Sequence, residues 1–117
     1  MTMTTDKYGT RRWYNDEGRY HREDGPAVVN EREGFEMWLL HGKLHRVDGP
    51  AVVYDNNRQE WYLHGQRHRI DGPAVVYSDG RQAWWHRGKR HREDGPAVVD
   101  TNGYQAWYKH GKFIKEN

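Results

Sequence analysis

The sequence predicts an all-β protein, an elongated and twisted antiparallel meander of about nine strands built from four to five hairpin repeats of 23 residues. The phrase His-Arg-x-Asp-Gly-Pro-Ala-Val-Val occurs four times, beginning at His21, His45, His68 and His91. A tryptophan recurs in phase with it, at Trp13, Trp38, Trp61, Trp84 and Trp107. No window shows helical spacing of apolar residues. Self-similarity at a fixed period indicates a repeat architecture, in which small units bury apolar surface against their neighbours.

Each repeat begins with a turn and a tryptophan strand. Four positions before each tryptophan stands a residue suited to positive φ, in the order Gly9, Gly34, Asn57, Gly80 and Gly103. In the third and fourth repeats, Arg81 to His86 is predicted as a strand that follows the Asp-Gly turn at Gly80. These positions therefore predict tight connections between neighbouring strands.

A long loop and a valine strand complete the repeat. A second glycine follows each tryptophan, at Gly18, Gly42, Gly65, Gly88 and Gly111, and opens the loop that carries the repeated phrase. Proline cannot donate a hydrogen bond to a ladder, so it is expected at the first position of the strand that contains Val75 and Val76. The tryptophan and valine strands then alternate along the meander.

The repeats predict one domain over residues 1–117. Residues 1–8 are predicted as an N-terminal tail, residues 9–111 as the repeats and residues 112–117 as a C-terminal cap, with Ile114 where the motif histidine would stand. The outer strands would expose unpaired backbone groups. We expect Arg11 and Arg12 at one end and Lys109 at the other to guard them against further pairing.

Composition limits the class of protein. Only 34% of residues are hydrophobic while 14% are aromatic, so a core must use few, large side chains. The formal net charge of +2 produces no general attraction for nucleic acid or membranes. Cysteine is absent, which is compatible with a reducing compartment. No stretch approaches the ~20 apolar residues of a membrane span, and we expect a soluble cytoplasmic protein.

Neighbouring strand residues face opposite sides of a sheet, so Trp84 and Trp85 are expected on different faces. The residues after the tryptophans then form a second apolar column. One face must be covered by the long loops folding back, by curling toward a barrel, or by a second copy of the chain.

The repeat also resembles a known family. The Asp79-Gly80 turn, the run from Trp85 to Gly88 and the segment Gly88-Lys89-Arg90-His91 are similar to the MORN repeat, over almost the whole chain from residue 9 to 112. This resemblance implies an open, twisted array of antiparallel hairpins and a role in protein assembly or membrane-adjacent scaffolding. The repeated phrase is also similar to repeats common in uncharacterised phage and bacterial proteins, which implies a phage factor acting on a host protein.

The most regular polar residues are interpreted as structural. The motif aspartate is expected to cap loop amides, the motif glycine to supply positive φ, and the histidine to bond a carbonyl or that aspartate. The structural set is His45, Asp48, His68, Asp71, His91, Asp94, Trp61 and Trp84. Histidine and aspartate could instead act as a general base and its orienting group. Four copies without a nucleophile at a fixed offset predict no catalytic residue and no enzyme.

A metal site is the next alternative. His41 and His45, like His64 and His68, have a spacing suited to metal ligands. The pair His86 and His91 is spaced differently. We predict no metal site and no cofactor.

A binding surface is predicted from the second aromatic column together with the loop arginines. The predicted binding residues are Arg46, Tyr62, Arg69, Trp85, Arg92 and Tyr108. Aromatic residues beside arginine are typical of protein interfaces. We therefore predict protein–protein binding or self-assembly, with a homodimer expected and the protein partner unknown. The alternative is nucleic-acid or nucleotide binding through the basic loops and aromatic columns.

Overall fold

A computed structural model describes residues 1–117 as strands and connections without a helix. Its extents are 49 × 26 × 18 Å, so the molecule is elongated. Eleven strands form one antiparallel sheet and six more form three two-stranded hairpins. The predicted all-β antiparallel meander is therefore confirmed. No helix in the chain has the length and apolarity that a membrane crossing requires.

The strands follow one another in a regular order. In chain order they are β1 (Thr2–Thr5), β2 (Arg11–Tyr14), β3 (Val28–Asn30), β4 (Phe35–Met37), β5 (Leu39–Leu40), β6 (Lys43–Leu44), β7 (Val52–Tyr54), β8 (Gln59–Glu60), β9 (Tyr62–Leu63), β10 (Gln66–Arg67), β11 (Val75–Val76), β12 (Gln82–Ala83), β13 (Trp85–His86), β14 (Lys89–Arg90), β15 (Val98–Val99), β16 (Gln105–Lys109) and β17 (Lys112–Glu116). The large sheet has the order β1-β2-β3-β4-β7-β8-β11-β12-β15-β16-β17, and β5-β6, β9-β10 and β13-β14 are the hairpins.

In the three inner repeats the tryptophan, Trp38, Trp61 or Trp84, divides its strand in two, whereas Trp13 and Trp107 lie within the undivided strands β2 and β16. The Trp61 N–H donates to the Ala74 carbonyl at 2.7 Å, within the large sheet. The Trp61 carbonyl then accepts from the His68 N–H at 3.1 Å, on the side of the small hairpin. Residues before the tryptophan therefore belong to the sheet and residues after it to the hairpin, which adds β5, β9 and β13 to the nine predicted strands. The other additional strands are β6, β10 and β14, which lie in the predicted long loops, and β1 and β17 at the two ends.

The two ends of the sheet differ from the expectation. Residues 1–8, predicted as a tail, contain β1, and residues 112–117, predicted as a cap, contain β17. Both strands extend the sheet, so they are its edges. The prediction that Arg11, Arg12 and Lys109 guard the edges is wrong, because those residues lie on β2 and β16, which have outer neighbours. The edge strand β1 carries no charged side chain.

The short turns agree with the sequence pattern. Gly9, Gly34, Asn57, Gly80 and Gly103 all have positive φ, between 70° and 94°. An ordinary side chain is strained in this region, and asparagine is the residue that tolerates it best after glycine. The predicted turn positions are therefore confirmed.

The core is thin and is built from small side chains. Only 16 of 117 residues are buried. The alanines of the repeated phrase, Ala27, Ala51, Ala74 and Ala97, are all 0% exposed. Val75 is the largest apolar side chain that is completely buried. The six tryptophan side chains lie at the surface of this core, half-buried.

Candidate functional site

The motif arginine covers the tryptophan of its own repeat. In the third repeat the Arg69 Cζ lies 3.9 Å from the centroid of the Trp61 ring. Its Nη1 donates to the Pro73 carbonyl at 3.1 Å, and its Nε lies 3.5 Å from Asp71 Oδ1. These contacts fold the long loop back onto the sheet. A cation–π contact of this kind stabilises by about 0.5–2 kcal/mol.

The same contact recurs in every copy of the phrase. The Cζ-to-centroid distances are 4.0 Å for Arg22 over Trp13, 3.9 Å for Arg46 over Trp38 and 3.9 Å for Arg92 over Trp84. Three ways of covering an apolar face were expected from the sequence. The tryptophan column is covered in the first of these ways, by the long loops folding back.

The motif glycine makes room for this guanidinium. A Cβ atom on Gly72 would lie 2.8 Å from Arg69 Cζ, and the corresponding distances in the other repeats are 2.8 to 3.0 Å. None of the motif glycines has positive φ. The expectation that they supply positive φ is therefore wrong. Glycine is needed because its backbone packs directly against the stacked arginine.

The motif histidine links its repeat to the next one. His68 Nδ1 accepts a hydrogen bond from the Arg87 N–H at 2.9 Å. Arg87 and Gly88 have φ of 50° and 79°, the two positive values that define the type I′ turn of a tight hairpin. The equivalent bonds run from the N–H groups of His41, His64 and His110 to His21, His45 and His91, each at 2.9 Å. The histidine therefore bonds a backbone amide of the next repeat, not the expected carbonyl or aspartate.

The histidine rings stack in pairs. The ring centroids of His45 and His64 are 4.6 Å apart, and those of His68 and His86 are 4.5 Å apart. Burial, followed by the nearby His64, lowers the pKa of His45. Burial also lowers the pKa of His68 and of His86, with nearby positive groups adding to it. Both effects favour the neutral ring, the form whose Nδ1 can accept a hydrogen bond.

One histidine cluster has the composition of a metal site. Potential ligand atoms of His91, Glu93 and His110 lie within 4.8 Å of one another. However, His91 Nδ1 already accepts the His110 N–H. In the neutral ring the proton then lies on Nε2, which is 2.8 Å from Glu93 Oε1. A metal at Nε2 would displace that proton to Nδ1 and break the bond to the next repeat, so the donor set suits a hydrogen bond better.

The loops expose the one position of the phrase that varies. Eight of its nine residues are identical in all four copies, and the third is Glu23, Val47, Ile70 or Glu93. Val47 and Ile70 are each 83% exposed. The glutamate side chains are 80% and 70% exposed. The constant residues thus build the loop and the variable residue occupies its tip.

The tips form a row, which we call the loop ridge and define as residues 23–24, 47–48, 70–71 and 93–94. The aspartates of the ridge, Asp24, Asp48, Asp71 and Asp94, have side chains that are 84 to 89% exposed. A groove of about 730 Å³ lies between the second and third loops, lined by Val47, Trp61 and Ile70 among others. A groove of about 770 Å³ follows between the third and fourth loops.

The six predicted binding residues do not form one surface. Arg46, Arg69 and Arg92 line the grooves of the loop ridge, with their guanidinium groups held against tryptophan rings. Strand alternation places Tyr62, Trp85 and Tyr108 on the opposite face.

The second aromatic column is covered from within the chain. Tyr62 donates its hydroxyl to Glu60 Oε1 at 3.0 Å, and Glu60 is buried. The Trp85 ring has Arg67 Cζ at 5.3 Å and Arg90 Cζ at 5.5 Å from its centroid. The column is therefore half-buried by its own arginines.

Val47 and Ile70 were absent from the set predicted from the sequence. Their signal is the variation itself, because they occupy the only position that changes within an otherwise constant phrase.

Comparison of the chain with known protein families, with curated proteins and with solved structures finds no match.

Proposed function

We propose that this chain is a non-enzymatic repeat module that binds a partner protein through the loop ridge. The observation that carries the proposal is the exposure of Val47 and Ile70, at 83% each, at the tips of two adjacent loops. Burying an aliphatic side chain of this size against a partner is worth roughly 1.5–3 kcal/mol. Two of them side by side supply an apolar centre for an interface.

The rigidity of the loops supports this proposal. Each loop is held by an arginine on a tryptophan ring and by a histidine bonded to the next repeat, as at Arg69 and His68. A preorganised loop loses little conformational entropy when it binds. Variable tips on a constant frame are the arrangement in which loops commonly carry recognition.

The absence of catalysis is part of the proposal. The motif histidines use Nδ1 to bond the adjacent repeat, as His45 and His68 do. No serine or lysine is placed beside them at the same position in all four copies. A histidine acts as a general base when it takes a proton from a nucleophile. Here its Nδ1 already accepts a structural hydrogen bond, and no nucleophile recurs beside it.

Nucleic-acid or nucleotide binding is the second candidate, and it belongs to the opposite face. There Arg67 and Arg90 flank the Trp85 ring, and Arg90 Cζ lies 5.4 Å from the centroid of Tyr108. Cations beside stacked aromatic rings are typical of single-strand binding proteins.

Self-association as a homodimer uses that same face in our proposal. Trp85 Nε1 is buried and has no hydrogen-bond partner in the chain. An unpaired buried donor costs free energy, and association that repacks this face and supplies an acceptor would remove that cost. The resemblance to MORN repeats supports a role in assembly, and the resemblance to phage repeats supports a cytoplasmic phage factor that acts on a host protein.

Capture from a native lysate tests the protein-binding proposal. We expect the immobilised chain to retain protein after nuclease treatment, and a Val47→Glu/Ile70→Glu variant to lose that protein at least tenfold. Ile114→Glu is the control for placing a glutamate on exposed apolar surface, because Ile114 is an exposed isoleucine on the edge strand β17, outside the residues that define the loop ridge. Retention that disappears with nuclease, or that is equal in the double variant, would contradict the proposal.

A further inference from the structure

The charges of the loop ridge point to one kind of partner, and this inference rests on the proposed function. We propose that the ridge binds a protein segment with two apolar side chains at its centre and a lysine or arginine at each end. The apolar side chains would contact Val47 and Ile70. The basic residues would pair with Glu23 and Glu93, the tips of the first and last loops.

The outer and inner tips of the loop ridge differ in charge. The outer tips each expose a glutamate and an aspartate, and the inner tips each expose one aspartate beside an apolar residue. The compensating arginines lie behind them, with side chains 23 to 28% exposed. Glu93 also has His91 Nε2 at 2.8 Å and Lys109 Nζ at 3.6 Å. An approaching partner therefore meets outward carboxylates at both ends and apolar surface between them.

The same charges exclude a second copy of the chain from this surface. A two-fold arrangement would place Glu23 of one copy against Glu93 of the other, and each aspartate against another aspartate. Like charges facing each other across an interface oppose association. Phosphate groups of nucleic acid would meet the same carboxylates. A basic protein segment is the occupant that satisfies these charges.

The pitch of the ridge indicates the shape of that segment. Each repeat adds two strands to the sheet, so adjacent tips are spaced by about 9.6 Å. The long axis of 49 Å for an eleven-strand sheet agrees with this spacing. A polyproline II segment advances ~9.3 Å in three residues and returns every third side chain to the same side. In a β-strand a side chain three positions further along points to the opposite side. The segment that fits is basic-x-x-apolar-x-x-apolar-x-x-basic.

Fluorescence anisotropy with three synthetic peptides tests this inference. The probe is Lys-Pro-Pro-Leu-Pro-Pro-Leu-Pro-Pro-Lys, and the comparisons carry glutamate at both ends or alanine at both central positions. We expect the basic peptide to bind at least tenfold more tightly than the acidic peptide, and the alanine peptide to lose most of the binding. Equal binding of the basic and acidic peptides would overturn the inference.

A charge exchange on the chain separates recognition from a general charge effect. We expect Glu23→Lys/Glu93→Lys to invert the preference, so that the acidic peptide binds more tightly. Glu17→Lys/Glu33→Lys changes two other exposed glutamates and the net charge by the same amount, and it should keep the original preference. Circular dichroism and tryptophan fluorescence verify that each variant is folded. An unchanged preference in the ridge variant would overturn the inference.

The two proposals can fail separately. If the basic peptide does not bind while a lysate protein still depends on Val47 and Ile70, the partner chemistry is wrong and the protein-binding function stands. If neither the peptide nor a lysate protein depends on these residues, both proposals are wrong.

Discussion

Gly72 occupies a position where a methyl group would displace a neighbouring side chain. An added Cβ would lie 2.8 Å from Arg69 Cζ, which in turn lies on the Trp61 ring. We expect Gly72→Ala to destabilise the chain by about 0.5–2 kcal/mol, because the Arg69 guanidinium would move aside and lose its cation–π contact with Trp61. Urea unfolding followed by tryptophan fluorescence measures the loss.

A double-mutant cycle isolates this contact. In an Arg69→Ala background the guanidinium is absent, so Gly72→Ala should cost much less. If the cost is the same in both backgrounds, the glycine is required for another reason.

The histidines make stability depend on pH. The pKa values of His45, His68 and His86 are lowered from 6.5 in the folded chain, first by burial. Their contribution to the free energy of unfolding is therefore fully present above the unfolded pKa of 6.5 and is lost as the pH falls through the lower folded values. We expect the urea midpoint to fall between pH 7.5 and pH 5.

The matched variant for this prediction is His68→Asn. It removes one group with a lowered pKa, so its urea midpoint should depend less steeply on pH. A wild-type midpoint that stays constant or rises as the pH falls would contradict the prediction.

Sequence alone predicted the turn residues but not the partners of the motif side chains. A turn at Asn57 is encoded locally, because asparagine tolerates positive φ better than other side chains. The bond from Arg87 to His68 joins residues 19 positions apart, and nothing in the local sequence specifies it. The packing of Gly72 on Arg69 likewise depends on how the loop folds.

At the scale of the elements, the hairpin turns hold residues that are poorly suited to them. Their first central positions are His41, His64, Arg87 and His110, with φ between 49° and 52°. Type I′ turns favour asparagine there, followed by glycine. We expect Arg87→Asn to stabilise the chain by roughly 0.5–1 kcal/mol, because left-handed backbone costs asparagine less than arginine.

The opposite substitution gives the control. Arg87→Val places a β-branched side chain at positive φ, so we expect a loss of stability in thermal unfolding. Both variants keep the backbone N–H that donates to His68. A gain of stability in both would show that removal of the arginine charge, rather than turn geometry, is responsible.

The division of the tryptophan strands could not be predicted from residue type. The sequence pattern predicts one continuous strand through Ala83, Trp84 and Trp85. The hydrogen-bond partner changes at Trp84, from Ala97 in the sheet to His91 beside the hairpin. That change depends on the loop returning beside the strand.

At the scale of the whole molecule, the repeats are not equally covered. Trp61 lies inside the array beneath Arg69 at 3.9 Å. Trp107 lies near the end and has only the Lys115 Nζ at 4.7 Å over its ring. We expect Trp61→Ala to cost about 3 kcal/mol, near the lower bound for an aromatic-to-alanine change because the ring is half-buried, and Trp107→Ala to cost less.

Chemical unfolding of the two variants measures the difference. Equal losses at Trp61 and Trp107 would contradict a linear array in which interior repeats have neighbours on both sides.

The elongated antiparallel plan follows directly from the repeat period, because each copy supplies the same strands to the same sheet. The edges were harder to predict. Residues 2–5 have no copy elsewhere in the chain, so only their pairing with β2 identifies them as a strand.

The histidine bond reaches from each repeat only to the one that follows it. An in-frame duplication of one 23-residue segment would therefore need no new kind of contact to be accommodated. It would add two strands to the sheet and one tip to the row, and the residue at that tip would be free to change without loss of the supporting bonds. Gene duplication followed by substitution at this single codon would thus produce chains that bind longer or different partner segments.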